Sequence, residues 1–182
     1  MKTRFLTTAL ALAAVSLTAA QRMPTVTFTA SGVSGDWILD FSLTNNLLPD
    51  EGQLYFFGVL LDTGRDISSS PVGWDPNAVV SWNNSGFGGS DRTYNNIWLN
   101  TGDPYNVLTG QTQSGFRARS TLVDAPTMVP WFAFASDGAY YGNDYFYSSL
   151  NPGFEGMASL VPEPAALIVL AVGLAALFRR RR

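Results

Sequence analysis

The sequence predicts an all-β domain, an antiparallel β-sandwich of Ig-like or jelly-roll-like topology, flanked by an N-terminal signal helix and a C-terminal transmembrane helix. Three observations carry this expectation. Apolar and polar residues alternate with period two in several short segments, the pattern of half-buried strands. Clusters of Gly, Asn, Asp and Ser separate those segments, as turns require. Between the two apolar ends no segment sustains a 3.6-residue period, and 17 Gly and 10 Pro among 182 residues work against long helices.

The chain opens on MKTRFLTTALALAAVSLTAA, residues 1–20. Lys2 and Arg4 form a positive head, Phe5 to Leu17 a mostly apolar stretch, and Thr18-Ala19-Ala20 a small-residue cleavage site. That order is the order of a secretory signal peptide, cut after Ala20 so that the mature chain begins at Gln21. It implies the Sec translocon and signal peptidase as partners.

The body, residues 21–160, reads as seven or eight short strands. In Thr25–Ser31, Val26, Phe28 and Ala30 share a face opposite Thr25, Thr27, Thr29 and Ser31. In Trp37–Asn45, Trp37, Leu39, Phe41 and Leu43 oppose Asp40, Ser42 and Thr44, with Ile38 as the exception. Gly35-Asp36 between these two segments predicts a hairpin. Leu54–Leu61 is apolar on both faces and predicts a central strand, in which Gly58 marks a bulge or a close backbone approach. Ala78–Trp82, Asn96–Leu99, Phe116–Ser120, Val129–Ser136 and Phe154–Leu160 complete the strands, and Pro130 sets the start of its strand at an edge or at a sheet entry. Residues 62–77, 83–95, 100–115 and 137–153 read as loops.

After the body come Pro162-Glu163-Pro164, then 14 uncharged residues from Ala165 to Phe178, then Arg179, Arg180, Arg181 and Arg182. At ~1.5 Å per residue this helix is about 21 Å long, short of a ~30 Å hydrocarbon core. Snorkelling arginines and local bilayer thinning make up the difference. The arginines stay cytoplasmic by the positive-inside rule, which leaves the body outside the cytoplasm. The two prolines stop the helix at the membrane face and hold an extended, accessible segment there.

Pro-Glu-Pro, an apolar helix and a terminal arginine cluster, in that order, resemble the PEP-CTERM sorting signal of Gram-negative bacteria. The resemblance spans residues 161–182. It implies processing by an exosortase, a membrane enzyme that recognises the Pro-Glu-Pro region, in cells that make exopolysaccharide. It further implies a protein held in the inner membrane during sorting and then passed to the cell surface or extracellular matrix, in a biofilm or floc setting. β-Sandwich ectodomains are common upstream of such signals.

Composition narrows the chemistry. There is no Cys and no His. Thiolate nucleophiles, Cys-ligated metals, imidazole ligands and Ser-His-Asp triads are all excluded. In a disulfide-permissive compartment a body without cysteine must rely on its core, and at 140 residues it is large enough to do so. Residues 21–160 hold 13 acidic side chains against five arginines, a net charge of −8, so nucleic acid and anionic lipid are unfavourable partners.

Four features invite a function. Tyr140, Tyr141, Tyr145 and Tyr147, with Phe146 among them, crowd residues 137–150 beside Asn143 and Asp144. Aromatic faces stack on sugar rings and amides bond hydroxyls, so these tyrosines are candidate glycan contacts, with Trp74 and Trp82 as weaker ones. Phe87 is a lone apolar side chain between glycines, placed to fold inward or to meet a partner. Asp62 and Asp66 flank Thr63-Gly64-Arg65 on one turn and are a candidate Ca²⁺ site, although Arg65 competes and the spacing is not that of an EF-hand loop. Glu51 and Glu155 are the only glutamates of the body, and no motif pairs them for glycosidase chemistry. The expected function is therefore a non-catalytic surface or matrix protein associated with exopolysaccharide. A carbohydrate-binding module using the Tyr-rich loop is the first alternative, and a carboxylate-dependent glycan-acting enzyme the second.

Overall fold

The expected hairpin forms. β1 (Thr25–Val33) and β2 (Asp36–Thr44) pair antiparallel over their full length in a computed structural model that describes residues 22–148 and 150–162. The remaining strands are β3 (Gln53–Val59), β4 (Ile67–Ser69), β5 (Trp74–Asp75), β6 (Trp82–Asn83), β7 (Thr93–Tyr94), β8 (Asn96–Asn100), β9 (Thr112–Ser120), β10 (Met128–Ser136), β11 (Phe146–Ser148) and β12 (Asn151–Leu160). The described residues contain no α-helix, only single 3₁₀ turns at Ser85–Phe87 and Asp103–Tyr105. The expected signal helix and C-terminal transmembrane helix lie outside the described residues.

The strands form one 10-stranded sheet in the order β4-β9-β2-β1-β12-β10-β3-β8-β5, with β11 attached to β12 and β6-β7 as a separate ribbon. The sheet rolls so that its two halves face each other. Phe116 on β9 meets Phe57 on β3 and Trp74 on β5, each at 4.9 Å between ring centroids, and Trp98 on β8 at 5.4 Å. The result is a sandwich built from a single sheet. Phe28, Phe41, Phe57, Trp98, Phe116 and Phe154 are fully buried between the halves. Each such side chain contributes roughly 1.5–3 kcal/mol by burial, which substitutes for covalent staples.

The seam between the two halves corrects the all-antiparallel expectation. β1 and β12 pair parallel, Thr27 with Ser159 and Phe28 with Leu160. They lie side by side in the middle of the strand order, β1 ending one half and β12 beginning the other, while β4 and β5 are the edges.

A second correction concerns layers. β10 turns Val129, Trp131, Ala133 and Ala135 inward and Phe132 and Phe134 outward. This half of the sheet is thus apolar on both faces and needs a cover, which residues 79–94 with the β6-β7 ribbon provide. Of the strand expected at Ala78–Trp82 only Trp82 is in a strand, because the segment lies across the outer face of the sheet rather than within it. Short strands β4, β5, β7 and β11 fall in stretches expected to be loops. Pro130 marks a sheet entry and not an edge: β10 lies between β12 and β3, and the Pro130 carbonyl accepts from Leu60 N at 2.9 Å just past the end of β3.

Gly58 is a close approach, since a Cβ there would stand 2.4 Å from the Phe132 ring. The bulge lies elsewhere on β3. Phe56 is opposite Phe134 and Leu54 opposite Ala135, so Tyr55 is the extra residue. That insertion resets the alternation and puts Tyr55 and Phe56 together on the outer face.

Candidate functional site: an aromatic groove

The outer face holds a cavity of about 240 Å³ lined by aromatic rings. Phe56 and Phe134 form its floor, supplied by β3 and β10, with Leu99 from β8 beside them. Trp82 and Phe87 stack face to face at 5.0 Å and 7° to make one wall. Tyr147 stands edge-on to Phe87 at 5.2 Å and makes the other with Tyr55. The Tyr55 hydroxyl donates to Asn151 Oδ1 at 3.0 Å. Burial pushes the Tyr55 phenol above its usual 10.0, so it stays a neutral donor. Among the described residues no Asp, Glu, Lys or Arg lines the groove.

Two local devices shape it. The bulge at Tyr55 turns that ring outward. Tyr147 adopts φ +77°, a left-handed conformation that costs a bulky non-glycine residue of order 1–3 kcal/mol and that clusters at functional sites. Gly153 makes room beneath, because a Cβ there would meet the Phe146 ring at 2.4 Å.

Glu155 holds the wall in place. It sits on the outer face of β12, opposite Phe132. Its carboxylate accepts from Asn84 Nδ2 at 2.7 Å, Ser90 N at 2.9 Å, Ser90 Oγ at 2.7 Å and Tyr94 OH at 2.8 Å. Asn84, fully buried, accepts the Trp82 indole N–H on Oδ1 at 2.5 Å, so the carboxylate orients the indole through one amide. Partial burial works to raise the Glu155 pKa, but the bonds from Asn84, Ser90 and Tyr94 outweigh it and hold the group below its usual 4.5. Burial, together with Glu155, pushes the Tyr94 phenol well up. Glu155 is thus an ionised acceptor of four hydrogen bonds, three on Oε1 and one on Oε2, and at neutral pH it carries no proton to donate.

The groove and the chain's exit lie at opposite ends of β12. Asn151 and Leu160 are nine residues apart along it, about 30 Å at ~3.3 Å per residue. At the exit, Leu160 N donates to Thr127 O at 3.0 Å and Val161 N to Phe28 O at 2.8 Å, so Pro162 emerges directly from the sheet and is exposed.

Residues 160–182 match the PEP-CTERM protein-sorting motif. The motif marks the protein for exosortase processing, with export and membrane-anchored sorting toward the cell surface. No curated protein matches the sequence. A solved structure of an uncharacterized protein from Nocardia farcinica, described as having an immunoglobulin-like fold, is similar at TM-score 0.42 and 16% identity, over 75% of this chain and 98% of that one. Of the PEP-CTERM motif only residues 160–162 lie within the described residues, so Glu163, Pro164 and Arg179 to Arg182 fall outside them.

The structure separates the tyrosines read as one cluster. Tyr147 lines the groove and is 52% exposed. Tyr140 is 3% exposed, edge-on to Phe154 at 5.1 Å and to Tyr145 at 5.5 Å, and is a core residue with no ring face left for a sugar. Tyr141 is 70% exposed and outside the groove, and Tyr145 lines a shallow neighbouring recess with Glu155. Trp74 is buried in the core. Trp82 and Phe87 join Tyr147 in the groove, whereas Tyr55 and Asn151 were not legible as site residues.

Asp62 and Asp66 are exposed on a turn stapled by asparagines. Asn95 Oδ1 accepts from Leu61 N and its Nδ2 donates to Leu61 O, while Asn96 bonds Asp66 N and Gly64 O. Arg65 turns away to the Pro76 carbonyl at 2.6 Å. Among the described residues no group of three or more His, Cys, Asp or Glu is placed to hold a metal ion.

Proposed function

We propose that the protein is a non-catalytic surface or matrix protein that holds exopolysaccharide in its aromatic groove. The observation that carries this reading is the groove itself: the half-buried rings of Trp82, Phe87 and Tyr55 and the exposed ring of Tyr147 line it, with the Asn151 amide and the Tyr55 phenol bonded to each other, at the end of the body remote from the sorting motif. An anchored domain built this way faces its binding end outward, whether in the membrane or after processing. Sugar C–H groups carry slight positive charge and pack on the negative faces of aromatic rings, while hydroxyls bond the amide. Glu155, held ionised and outside the groove lining, supports holding over hydrolysis.

The test is retention of the full chain on exopolysaccharide from producing cells. Saturable retention without release of new reducing ends is expected. Loss of retention in Trp82→Ala, with Tyr141→Ala retained, assigns it to the groove. Failure of the wild-type chain to bind would sink the reading, and steady release of reducing ends would replace it with an enzyme.

A further inference from the structure

We infer that the groove is selective for one uncharged pyranose unit of a polymer and rejects uronates and other anionic sugars. The inference rests on the polysaccharide reading above and specifies its ligand. Size comes first. At about 240 Å³ the cavity lies below the roughly 300–1,000 Å³ of drug-sized sites, so it takes one ring and leaves the rest of a chain outside.

Charge comes second. Among the described residues no cationic side chain lines the groove, and the body around it carries 13 acidic side chains against five arginines. A carboxylate or sulfate brought there loses water and finds no counter-charge, which is costly in a mostly apolar site.

Polar chemistry comes third. Tyr55 spends its hydroxyl hydrogen on Asn151 Oδ1. Among the described residues no hydrogen bond engages Asn151 Nδ2, so its N–H groups lie beside a Tyr55 oxygen lone pair, and a sugar hydroxyl, both donor and acceptor, can satisfy the two at once. An anion would meet the phenol lone pair unfavourably.

The last observation is Tyr147. Its left-handed backbone, together with the edge-on contact to Phe87, sets the ring over the groove. A wall fixed by the fold costs a ligand less ordering.

The experiment compares retention of the full chain, in mild detergent, on an immobilised neutral glucan, a neutral galactan and a polyuronate, at low and high salt. Binding to a neutral polymer that is unchanged by salt is expected. Trp82→Ala and Tyr147→Gly should each weaken it by about three- to tenfold, the scale of one aromatic contact. Tyr147→Gly keeps the test valid if Trp82→Ala fails to fold, because glycine accepts φ +77° without strain. Preference for the polyuronate that is lost in both variants would overturn the neutral-sugar inference and leave the groove as the polysaccharide site. Retention indifferent to both variants, or lost in Tyr141→Ala but not in Trp82→Ala, would overturn the inference and move the polysaccharide site away from the groove. No retention on any polymer would overturn both.

Discussion

Glu155 shows how one side chain sets a site it never touches. Its four hydrogen bonds tie residues 84–94 to β12 and fix the Trp82 indole through Asn84. Because its folded pKa is depressed, its stabilisation is fully present above the ordinary 4.5 and is lost as pH falls through the lower folded value. Acid should therefore loosen the groove wall before the core unfolds. As pH falls below 4.5 and through that lower folded value, Trp82 fluorescence should shift toward that of exposed indole, and a Glu155→Gln variant should show the shift at neutral pH. A wall that stays closed in both cases would mean the latch lies elsewhere. At this scale the sequence was readable only in part. Tyr147, Trp82 and Phe87 stand out as aromatics in polar stretches. Tyr55 does not, since a strict alternation places it on the face opposite Phe56, and only the pairing partner reveals the bulge that reverses it.

Among the elements, the long strands announce themselves and the short ones do not. β1, β2 and β9 bury alternate residues along part of their nine, so period two shows in each, while β10 is read from a long apolar run that is buried on both faces. β5, β6 and β7 are two residues long and exist because a neighbouring strand or turn holds them, and no local pattern encodes that. β3 was legible as central because both its faces are apolar, and Gly58 is what permits it to lie beneath Phe132. Gly58→Ala places a methyl 2.4 Å from the Phe132 ring and should cost about 1–3 kcal/mol. The melting temperature should fall by about 3–10 °C at this size. Phe132→Leu in the same chain should recover part of the loss, a non-additivity that marks direct contact. Simple addition of the two losses would refute it.

For the whole molecule, the decisive contact is the smallest one. The two halves of the sheet are joined by two parallel residue pairs, Thr27 with Ser159 and Phe28 with Leu160, and the chain then continues into the PEP-CTERM motif with Val161 still bonded to Phe28. Among the described residues, all that pair across this seam precede Pro162, so a cut after Val161 keeps the seam, and a cut five residues earlier does not. Ending the chain after Val161 should leave the melting temperature within about 1–2 °C of the uncut protein. Ending it after Gly156 removes the fully buried Ala158 and both seam pairs, and exposes the inner edge of β10. That loss should lower the melting temperature by about 10 °C or abolish the cooperative transition, at roughly 2–4 °C per kcal/mol. Both ends should be compared by thermal denaturation, with the groove read in parallel from Trp82 fluorescence. Equal stability of the two truncations would mean that the parallel seam is incidental, and that β10 and β2 hold the halves together without it.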